Sequence, residues 1–312
     1  MDNCLIHLNC QKSDFTLWLN KKMLKKYLYM MKKTLFSTLL LSIIISFTTS
    51  LYAQSIDLIK RLDQKSLHIV AHRGAHLEQP ENSIAAIEEA IRQGVSVVEV
   101  DVRATKDGVL VLMHDKTLNR TTTGEGEVSK HTFNEIRQLR LRTKANGEAS
   151  EYAVPTLEEA LRVAKGKIIV DLDFKEDRKE LIEKTYDLVE KEGMEDEVLF
   201  FLYDYKDMPR IYKLNPKVTL FPRARSMNDL NAILKMKITS IVHLDESFTD
   251  TKRLDSMRQQ GIYFWMNSLG EYDDKAGQEG EDIYRSFLEK YPFVRLIQTD
   301  YPNLWQEVLK RF

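Results

Sequence analysis

Short apolar segments alternate with amphipathic helical segments along residues 54–312, and this alternation is the strongest constraint on the fold. Nine segments have the composition of strands, beginning with "LHIVAH", "VVEVDV" and "VLVLMH" and ending with "VRLIQTD". Helical segments such as "ENSIAAIEEAIRQG" and "RKELIEKTYDLVEKEG" separate most of them. Such alternation is typical of βα units that build a parallel sheet. We therefore predict a TIM (β/α)₈ barrel, in which one of the nine candidate strands is a short extra piece.

Several residues mark the ends of the predicted helices. Thr156 and Glu159 have the spacing of a capping box at a helix start. Gly94, Gly193 and Gly261 each follow a helical segment, where glycine commonly ends a helix. Because no Gly/Ser-rich linker interrupts residues 54–312, we interpret them as one domain.

Residues 116–152 depart from the alternation, since they are polar, contain glycine and include one short helical segment near 132–140. We predict that they form a small insertion after the third strand, above the strand ends. The preceding link, "VRATKDG", is too short for a crossover helix. It either returns extended to start a parallel strand or forms a hairpin at Asp107-Gly108.

The N-terminal region has the pattern of an export signal. Residues 31–53 combine two lysines, an apolar run and Ala53 at a plausible cleavage point. We expect cleavage there and a periplasmic or secreted protein, with a retained N-terminal anchor facing the periplasm as the alternative. Residues 1–30 are interpreted as an upstream extension, with translation starting at Met30 or Met31. N-terminal sequencing of the exported protein would show the true start, and Asp2 in it would contradict this interpretation.

Composition excludes some classes of function. Both cysteines, Cys4 and Cys10, precede the cleavage point, so the remaining 259 residues contain no thiol for a disulfide, a thiolate metal site or a nucleophile. These residues have a formal charge of −6, which makes nucleic acid an unsuitable partner.

Polar residues concentrate at the C-terminal ends of the predicted strands. They are His72 and Arg73, Glu99 and Asp101, His114 and Asp115, Asp171, Asp173 and Lys175, and finally Thr299 and Asp300. In a parallel barrel these strand ends meet at one mouth, where active sites lie. Glu99 and Asp101 are two apart in one strand and share a face, as Asp171 and Asp173 do.

These residue types indicate phosphodiester chemistry at a cation. Oxygen ligands from Glu99, Asp101 and Asp173 favour Ca²⁺ or Mg²⁺, while a site that uses His72 or His114 for zinc or manganese is the alternative. Arg73 and Lys175 would balance the charge of a phosphate. The two histidines suit a general acid and a general base, and the residues alone do not assign these two roles.

The chain resembles the glycerophosphodiester phosphodiesterase family, which is related to the phosphatidylinositol-specific phospholipases C. The similar motifs are "AHRGAHLEQPENSIAAIEEAI", "VEVDVRATKDGVLVLMHDKTLNRTTTGEG", "PTLEEAL", "VDLDFK" and "TDYPNLW". The resemblance implies a metal-dependent TIM barrel that hydrolyses glycerophosphodiesters to sn-glycerol 3-phosphate and an alcohol. It also implies site roles: acid–base catalysis by His72 and His114, metal binding by Glu99 and Asp101, and substrate or phosphate contacts by Arg73, Lys175 and Asn82.

Two positions depart from the family pattern. Asp173 stands where the family usually has a glutamate as third metal ligand, so Asp171 is an alternative third ligand. In "YFWMNSL", Phe264 occupies the place of the usual tryptophan, with Trp265 adjacent and Asn267 in register. We expect Phe264 and Trp265 to form the substrate-pocket wall.

Three functions follow from the resemblance and from the residues. The first is hydrolysis of small glycerophosphodiesters derived from deacylated phospholipids. The second is a phospholipase C-like or glycerophosphoinositol activity, and the third is a non-catalytic phosphate- or lipid-binding barrel. Membrane contact is expected only through an uncleaved N-terminal segment, and the sequence leaves the oligomeric state open.

Overall fold

Eight parallel strands form a nearly closed barrel in the computed structural model, which describes Leu58, Leu62 and residues 67–176 and 178–311. The strands are β1 (His68–Ala71), β2 (Val97–Ala104), β3 (Leu110–Leu112), β4 (Ile169–Phe174), β5 (Val198–Leu202), β6 (Thr219–Pro222), β7 (Ile241–His243), β8 (Tyr263–Asn267) and β9 (Val294–Thr299). All except β3 belong to the barrel, in the order β6-β5-β4-β2-β1-β9-β8-β7. A parallel bridge between Arg223 and His243 joins the two ends of this order.

Helices surround the barrel and alternate with its strands. They are α1 (Ile84–Arg92), α2 (Phe133–Ile136), α3 (Leu157–Ala164), α4 (Lys179–Glu192), α5 (Met208–Tyr212), α6 (Met227–Met236), α7 (Thr251–Gln259), α8 (Glu271–Glu279), α9 (Ile283–Lys290) and α10 (Pro302–Lys310). The predicted (β/α)₈ architecture is therefore confirmed. Within the described part of the chain, no helix is both long and apolar enough to cross a membrane. The predictions for residues 1–30 and 31–53 lie outside the described residues.

The ninth strand is the predicted extra piece, and it forms a hairpin. β3 pairs antiparallel with β2, with Val102 opposite Leu112 and Ala104 opposite Leu110. The hairpin alternative is therefore correct. The turn closes where the Gly108 amide donates to the Thr105 carbonyl at 3.0 Å, and Gly108 has a φ of 75°, a backbone conformation that glycine adopts without strain.

The insertion at 116–152 follows β3 and has its own small core. Its regular structure is one turn of 3₁₀ helix at Val128–Lys130 and the short helix α2. The core consists of the buried side chains Val111, Met113, Leu118, Val128, Ile136, Leu141 and Val154. This core anchors the insertion to β3 and to the segment before α3.

Two apolar layers hold the barrel together. The outer layer lies between strands and helices, and the inner layer fills the barrel at the N-terminal ends of the strands. The inner layer contains Val70, Val97, Ile169, Leu199, Phe221, Ile241, Tyr263, Trp265 and Leu296, and Leu58 and Leu62 pack against it. Apolar packing therefore fills the barrel interior at this end and leaves the C-terminal end for polar groups.

The capping box of α3 provides a stability test. Thr156 Oγ1 accepts a hydrogen bond from the Glu159 amide at 3.1 Å, and Glu159 Oε2 accepts one from the Thr156 amide at 2.8 Å. We predict that Thr156→Ala lowers the free energy of unfolding by about 1 kcal/mol. The measurement is urea denaturation, with Lys252→Ala on the exposed face of α7 as the control of near-zero effect. Equal midpoints for the two variants would contradict the role of the cap.

Candidate active site

Polar side chains enter the barrel mouth because every second residue of a barrel strand points to the interior. Val97 lies in the apolar inner layer, so Glu99 and Asp101 point to the same interior, one and two layers higher. In β4, Ile169 lies in the inner layer, and Asp171 and Asp173 follow in the same way. The register pairs Glu99 with Asp171 and Asp101 with Asp173. Four carboxylates thus enter the barrel from two neighbouring strands.

Three of these carboxylates form a cluster that suits a cation. Glu99, Asp101 and Asp173 each offer one oxygen, and these oxygens lie within 4.8 Å of one another. Glu99 is 2% exposed and Asp101 is 1% exposed. Burial and the neighbouring carboxylates raise the pKa of Glu99 well above its usual range. Such a cluster is unfavourable as an isolated set of anions, and a positive charge among them relieves the repulsion.

Protein cations already reach this cluster. Lys175 Nζ lies 2.5 Å from Asp173 Oδ2 and 3.2 Å from Asp101 Oδ1. Arg73 Nε lies 3.4 Å from Asp101 Oδ2, and the Arg73 amide donates to Glu99 Oε2 at 2.8 Å. The hydroxyl of Tyr203 donates to Asp173 Oδ2 at 2.9 Å. The predicted phosphate contacts Arg73 and Lys175 therefore lie beside the carboxylates.

The donor set fits a hard divalent cation. All three clustered ligands are carboxylates, the ligand type that Ca²⁺ and Mg²⁺ prefer. Asp173 Oδ1 is buried and has no hydrogen-bond partner, so a lone pair remains available in the cluster. Of the two candidate third ligands, it is Asp173 rather than Asp171 that falls within the cluster. Asp171 Oδ1 is also buried without a hydrogen-bond partner, and Asp171 borders the cavity at the barrel mouth that is described below.

Asn82 positions a carboxylate of this cluster. Its amide Nδ2 donates to Asp101 Oδ2 at 2.7 Å, and its Oδ1 accepts from the Asp101 amide at 3.0 Å. Asn82 has a φ of 54°, in the left-handed region that asparagine tolerates better than most residues. It is 2% exposed, and both of these side-chain hydrogen bonds are made to Asp101.

His72 is oriented by Asp300 at the end of β9. The ring nitrogen Nδ1 lies 2.7 Å from Asp300 Oδ1. The backbone of Asp300 is held in turn by Asp273, because the Asp300 amide donates to Asp273 Oδ2 at 2.7 Å. Burial alone would raise the pKa of Asp300, but the hydrogen bonds from His72 and Lys144 lower it. Asp300 is a strand-end residue to which the sequence analysis assigned no role.

His114 has an equivalent carboxylate partner. Its Nδ1 lies 2.8 Å from Asp115 Oδ1, and Arg120 Nε donates to Asp115 Oδ2 at 2.7 Å. Arg120 also contacts Glu81 at 2.7 Å, and Glu81 contacts Arg73 at 3.0 Å. Hydrogen bonds from Arg120 and His114 lower the pKa of Asp115. A continuous chain of ion pairs thus connects His114, at the more exposed rim, with the carboxylate cluster.

A cavity of about 150 Å³ extends from this cluster into the barrel mouth. His72, Glu99 and Asp173 lie on its boundary, and so do Tyr203, Arg223, His243 and Asn267. Burial lowers the pKa of His243 to about 4, so this imidazole is neutral at physiological pH. Its Nε2 lies 3.2 Å from Asn267 Oδ1, while Nδ1 and Arg223 Nε are buried without a hydrogen-bond partner. Tyr203, Arg223 and His243 were not selected from the sequence, whereas Asn267 was noted there as part of a family motif. Each of the four side chains lies at an inward-facing position of its strand or directly after it.

The prediction that Phe264 and Trp265 form the pocket wall is wrong, because neither residue borders the cavity. Phe264 points outward into the layer between strands and helices, where its ring meets Phe293 edge-on at 5.7 Å. Trp265 points inward but is fully buried, and its Nε1 donates to Gln298 Oε1 at 3.2 Å. Trp265 therefore supports Gln298, and Gln298 borders the cavity.

The fold and the position of the acidic cluster are those of TIM-barrel enzymes, whose active sites lie at the C-terminal ends of the strands. Comparison with known proteins gives the family. The sequence profile of the glycerophosphoryl diester phosphodiesterase family matches residues 72–264. The chain belongs to this family, and it is an enzyme of the phosphodiesterase class.

Individual relatives agree with this assignment. A glycerophosphodiester phosphodiesterase of Caldanaerobacter subterraneus subsp. tengcongensis is 30% identical over 179 residues, covering 55% of this chain and 74% of that protein. Glycerophosphodiester phosphodiesterase 1 of Mus musculus is 39% identical over 110 residues, covering 35% and 33%. The crystal structure of a glycerophosphoryl diester phosphodiesterase from Parabacteroides distasonis superimposes with a TM-score of 0.74 at 27% identity, covering 82% of this chain and 92% of that one.

The repulsion within the carboxylate cluster generates a prediction about ion binding. We expect Ca²⁺ or Mg²⁺ to stabilise the folded protein, by about 2.7 kcal/mol when the free ion exceeds its dissociation constant a hundredfold. Glu99→Gln keeps the acceptor for the Arg73 amide and removes one negative charge. This variant should be more stable than the parent in chelator, by on the order of 1 kcal/mol, and should lose most of the ion-dependent gain.

Thermal unfolding with chelator and with each ion measures both effects. Glu289→Gln, on the exposed face of α9, is the matched control and should respond like the parent. Equal stabilisation of the parent and the Glu99→Gln variant by the ion would rule out the cluster as the binding site.

Proposed function

We propose that this protein is a metal-dependent phosphodiesterase that hydrolyses small glycerophosphodiesters to sn-glycerol 3-phosphate and an alcohol. The observation that carries the proposal is the arrangement of three clustered carboxylates with two carboxylate-held histidines at one barrel mouth. A Ca²⁺ or Mg²⁺ ion held by Glu99, Asp101 and Asp173 would supply Lewis-acid stabilisation of charge on the phosphate. Arg73 and Lys175 are the protein cations closest to that charge.

His72 and His114 would carry out the two proton transfers of the reaction, one as general base and the other as general acid. Asp300 and Asp115 accept hydrogen bonds from the Nδ1 atoms of His72 and His114, which leaves each Nε2 available to substrate. One imidazole takes the proton of the attacking hydroxyl and the other donates a proton to the leaving oxygen. In the first step, a glycerol hydroxyl of the substrate attacks phosphorus, since an intramolecular nucleophile needs no separate positioning. Water then opens the resulting cyclic phosphate.

The size and polarity of the cavity support a small, deacylated substrate. Its volume of about 150 Å³ is roughly half the lower bound of about 300 Å³ for pockets that hold drug-sized ligands. Its boundary is mainly polar: Arg223, His243 and Asn267 line it together with the carboxylates, and Phe201 and Leu269 are its apolar side chains. A glycerol group finds hydrogen-bond partners there, whereas acyl chains do not. An Oleispira antarctica phosphodiesterase crystallised with the product sn-glycerol-3-phosphate shares the fold, with a TM-score of 0.63 at 22% identity.

Removal of either histidine tests the acid–base assignment. We predict that His72→Ala and His114→Ala each lower kcat by about 10²–10⁴-fold, because general acid–base catalysis typically contributes that factor. The measurement is enzymatic detection of glycerol 3-phosphate released from glycerophosphoethanolamine, with circular dichroism to show that each variant folds. His131→Ala, in the loop between the 3₁₀ turn and α2, is the matched histidine control and should retain activity. Unchanged turnover in either site variant would refute its assigned role.

The choice between deacylated and intact lipids is tested by two substrates with the same head group. We predict that glycerophosphocholine is hydrolysed at least about a hundredfold faster than phosphatidylcholine in mixed micelles, because the acyl chains exceed the polar cavity. Release of glycerol 3-phosphate measures the first reaction and release of phosphocholine or choline the second. Faster cleavage of the diacyl lipid would favour the phospholipase C-like alternative.

A further inference from the structure

A second histidine and a lysine surround the pair of His72 and Asp300, and we refer to His72, His76, Lys144 and Asp300 as the Lys144 cluster. Lys144 Nζ donates to Asp300 Oδ2 at 2.7 Å, opposite the oxygen that His72 contacts. Lys144 also lies 3.4 Å from His76 Nε2. The rings of His72 and His76 meet edge-on, with centroids 6.2 Å apart.

The hydrogen bonds of His76 define how its ring is protonated. Its Nδ1 lies 2.8 Å from the His72 carbonyl and 3.1 Å from the Gly74 carbonyl, and both of these groups can only accept. Nδ1 therefore carries a proton, and Nε2 accepts from the Lys144 ammonium and lies 3.6 Å from Asp300 Oδ1. His76 is 2% exposed, and burial lowers the pKa of its imidazole. His76 thus holds the backbone of His72 on one side and Lys144 on the other.

Lys144 comes from the insertion and not from the barrel. It lies in a turn where the Thr143 amide donates to the Glu148 carbonyl at 3.0 Å and the Gly147 amide donates to the Thr143 carbonyl at 3.0 Å. Its contact with Asp300 spans 156 positions of the sequence. The insertion therefore places one positive charge directly on the carboxylate that orients His72.

We infer that Lys144 and His76 are positioning residues, through which the insertion fixes Asp300 and the imidazole of His72 in the reactive arrangement. This inference rests on the proposed function, since it concerns the proton transfer by His72. Lys144 contacts the carboxylate that His72 contacts, so removing the ammonium changes the charge beside the imidazole. The charged and titratable groups around His72 are Asp300, Lys144 and His76 and, on the boundary of the same cavity, Glu99, Asp171, Asp173, Tyr203, Arg223 and His243.

The test uses Lys144→Met, which keeps the length of the side chain and removes its charge. We expect kcat to fall about tenfold with little change in KM, because a misplaced catalytic group slows the chemical step. The limb of the pH–rate profile set by His72 should move to higher pH by about half a unit at low ionic strength. Lys144→Arg should recover most of the lost rate.

The second variant tests the support of Lys144 by His76. His76→Gln keeps an oxygen that can accept from Lys144 and should lose less activity than His76→Leu, which keeps no polar atom. Lys130→Met, at the exposed end of the 3₁₀ turn in the same insertion, is the matched control and should behave like the parent. Unchanged kcat and an unchanged pH profile in Lys144→Met would overturn the inference.

A second readout separates this inference from the proposed function. The ring nitrogen signals of His72 can be followed by NMR against pH in the parent and in Lys144→Met. A shift of the His72 titration to higher pH in the variant supports the Lys144 cluster, and an identical titration overturns it. A parent protein that hydrolyses no glycerophosphodiester would refute the proposed function and would leave the NMR comparison to decide the role of Lys144.

Discussion

Electrostatic repulsion among buried carboxylates is the constraint on which the rest of this structure depends. Glu99, Asp101 and Asp173 project into the barrel interior, and burial raises the pKa of Glu99 and Asp173. Lys175 and Arg73 approach the cluster from neighbouring strand ends, as charge compensation requires. The apolar inner layer at the opposite end of the barrel supports this arrangement, because its side chains fix the strands that deliver the carboxylates.

His72 and His114 each contact a carboxylate through Nδ1, but their surroundings differ. Each imidazole has its Nδ1 held by a carboxylate, Asp300 for His72 and Asp115 for His114. His72 is 16% exposed in its side chain and borders the cavity, whereas His114 is 36% exposed and belongs to an ion-pair chain at the rim. The insertion contributes to both surroundings, through Lys144 on the first and Arg120 on the second. The insertion therefore contacts the carboxylate partners of both proposed acid–base histidines.

Strand periodicity made the carboxylate cluster predictable, because Glu99, Asp101 and Asp173 follow apolar inner-layer residues at even spacing. The same rule places Asn267, two residues after the inward Trp265, at the barrel mouth and shows why Phe264 faces the helices. Other features depend on tertiary contacts that no local pattern reveals. Asn82 holds Asp101 across 19 positions and Asp300 holds His72 across 228, so neither role could be derived from spacing.

We propose that the three clustered carboxylates hold a divalent cation for phosphodiester hydrolysis. Anomalous diffraction from crystals grown with Ca²⁺ tests it most directly. We expect one anomalous peak about 2.3–2.6 Å from oxygens of Glu99, Asp101 and Asp173, with Lys175 displaced from its position between the two aspartates. The absence of such a peak, with Lys175 still bound to Asp101 and Asp173, would contradict it.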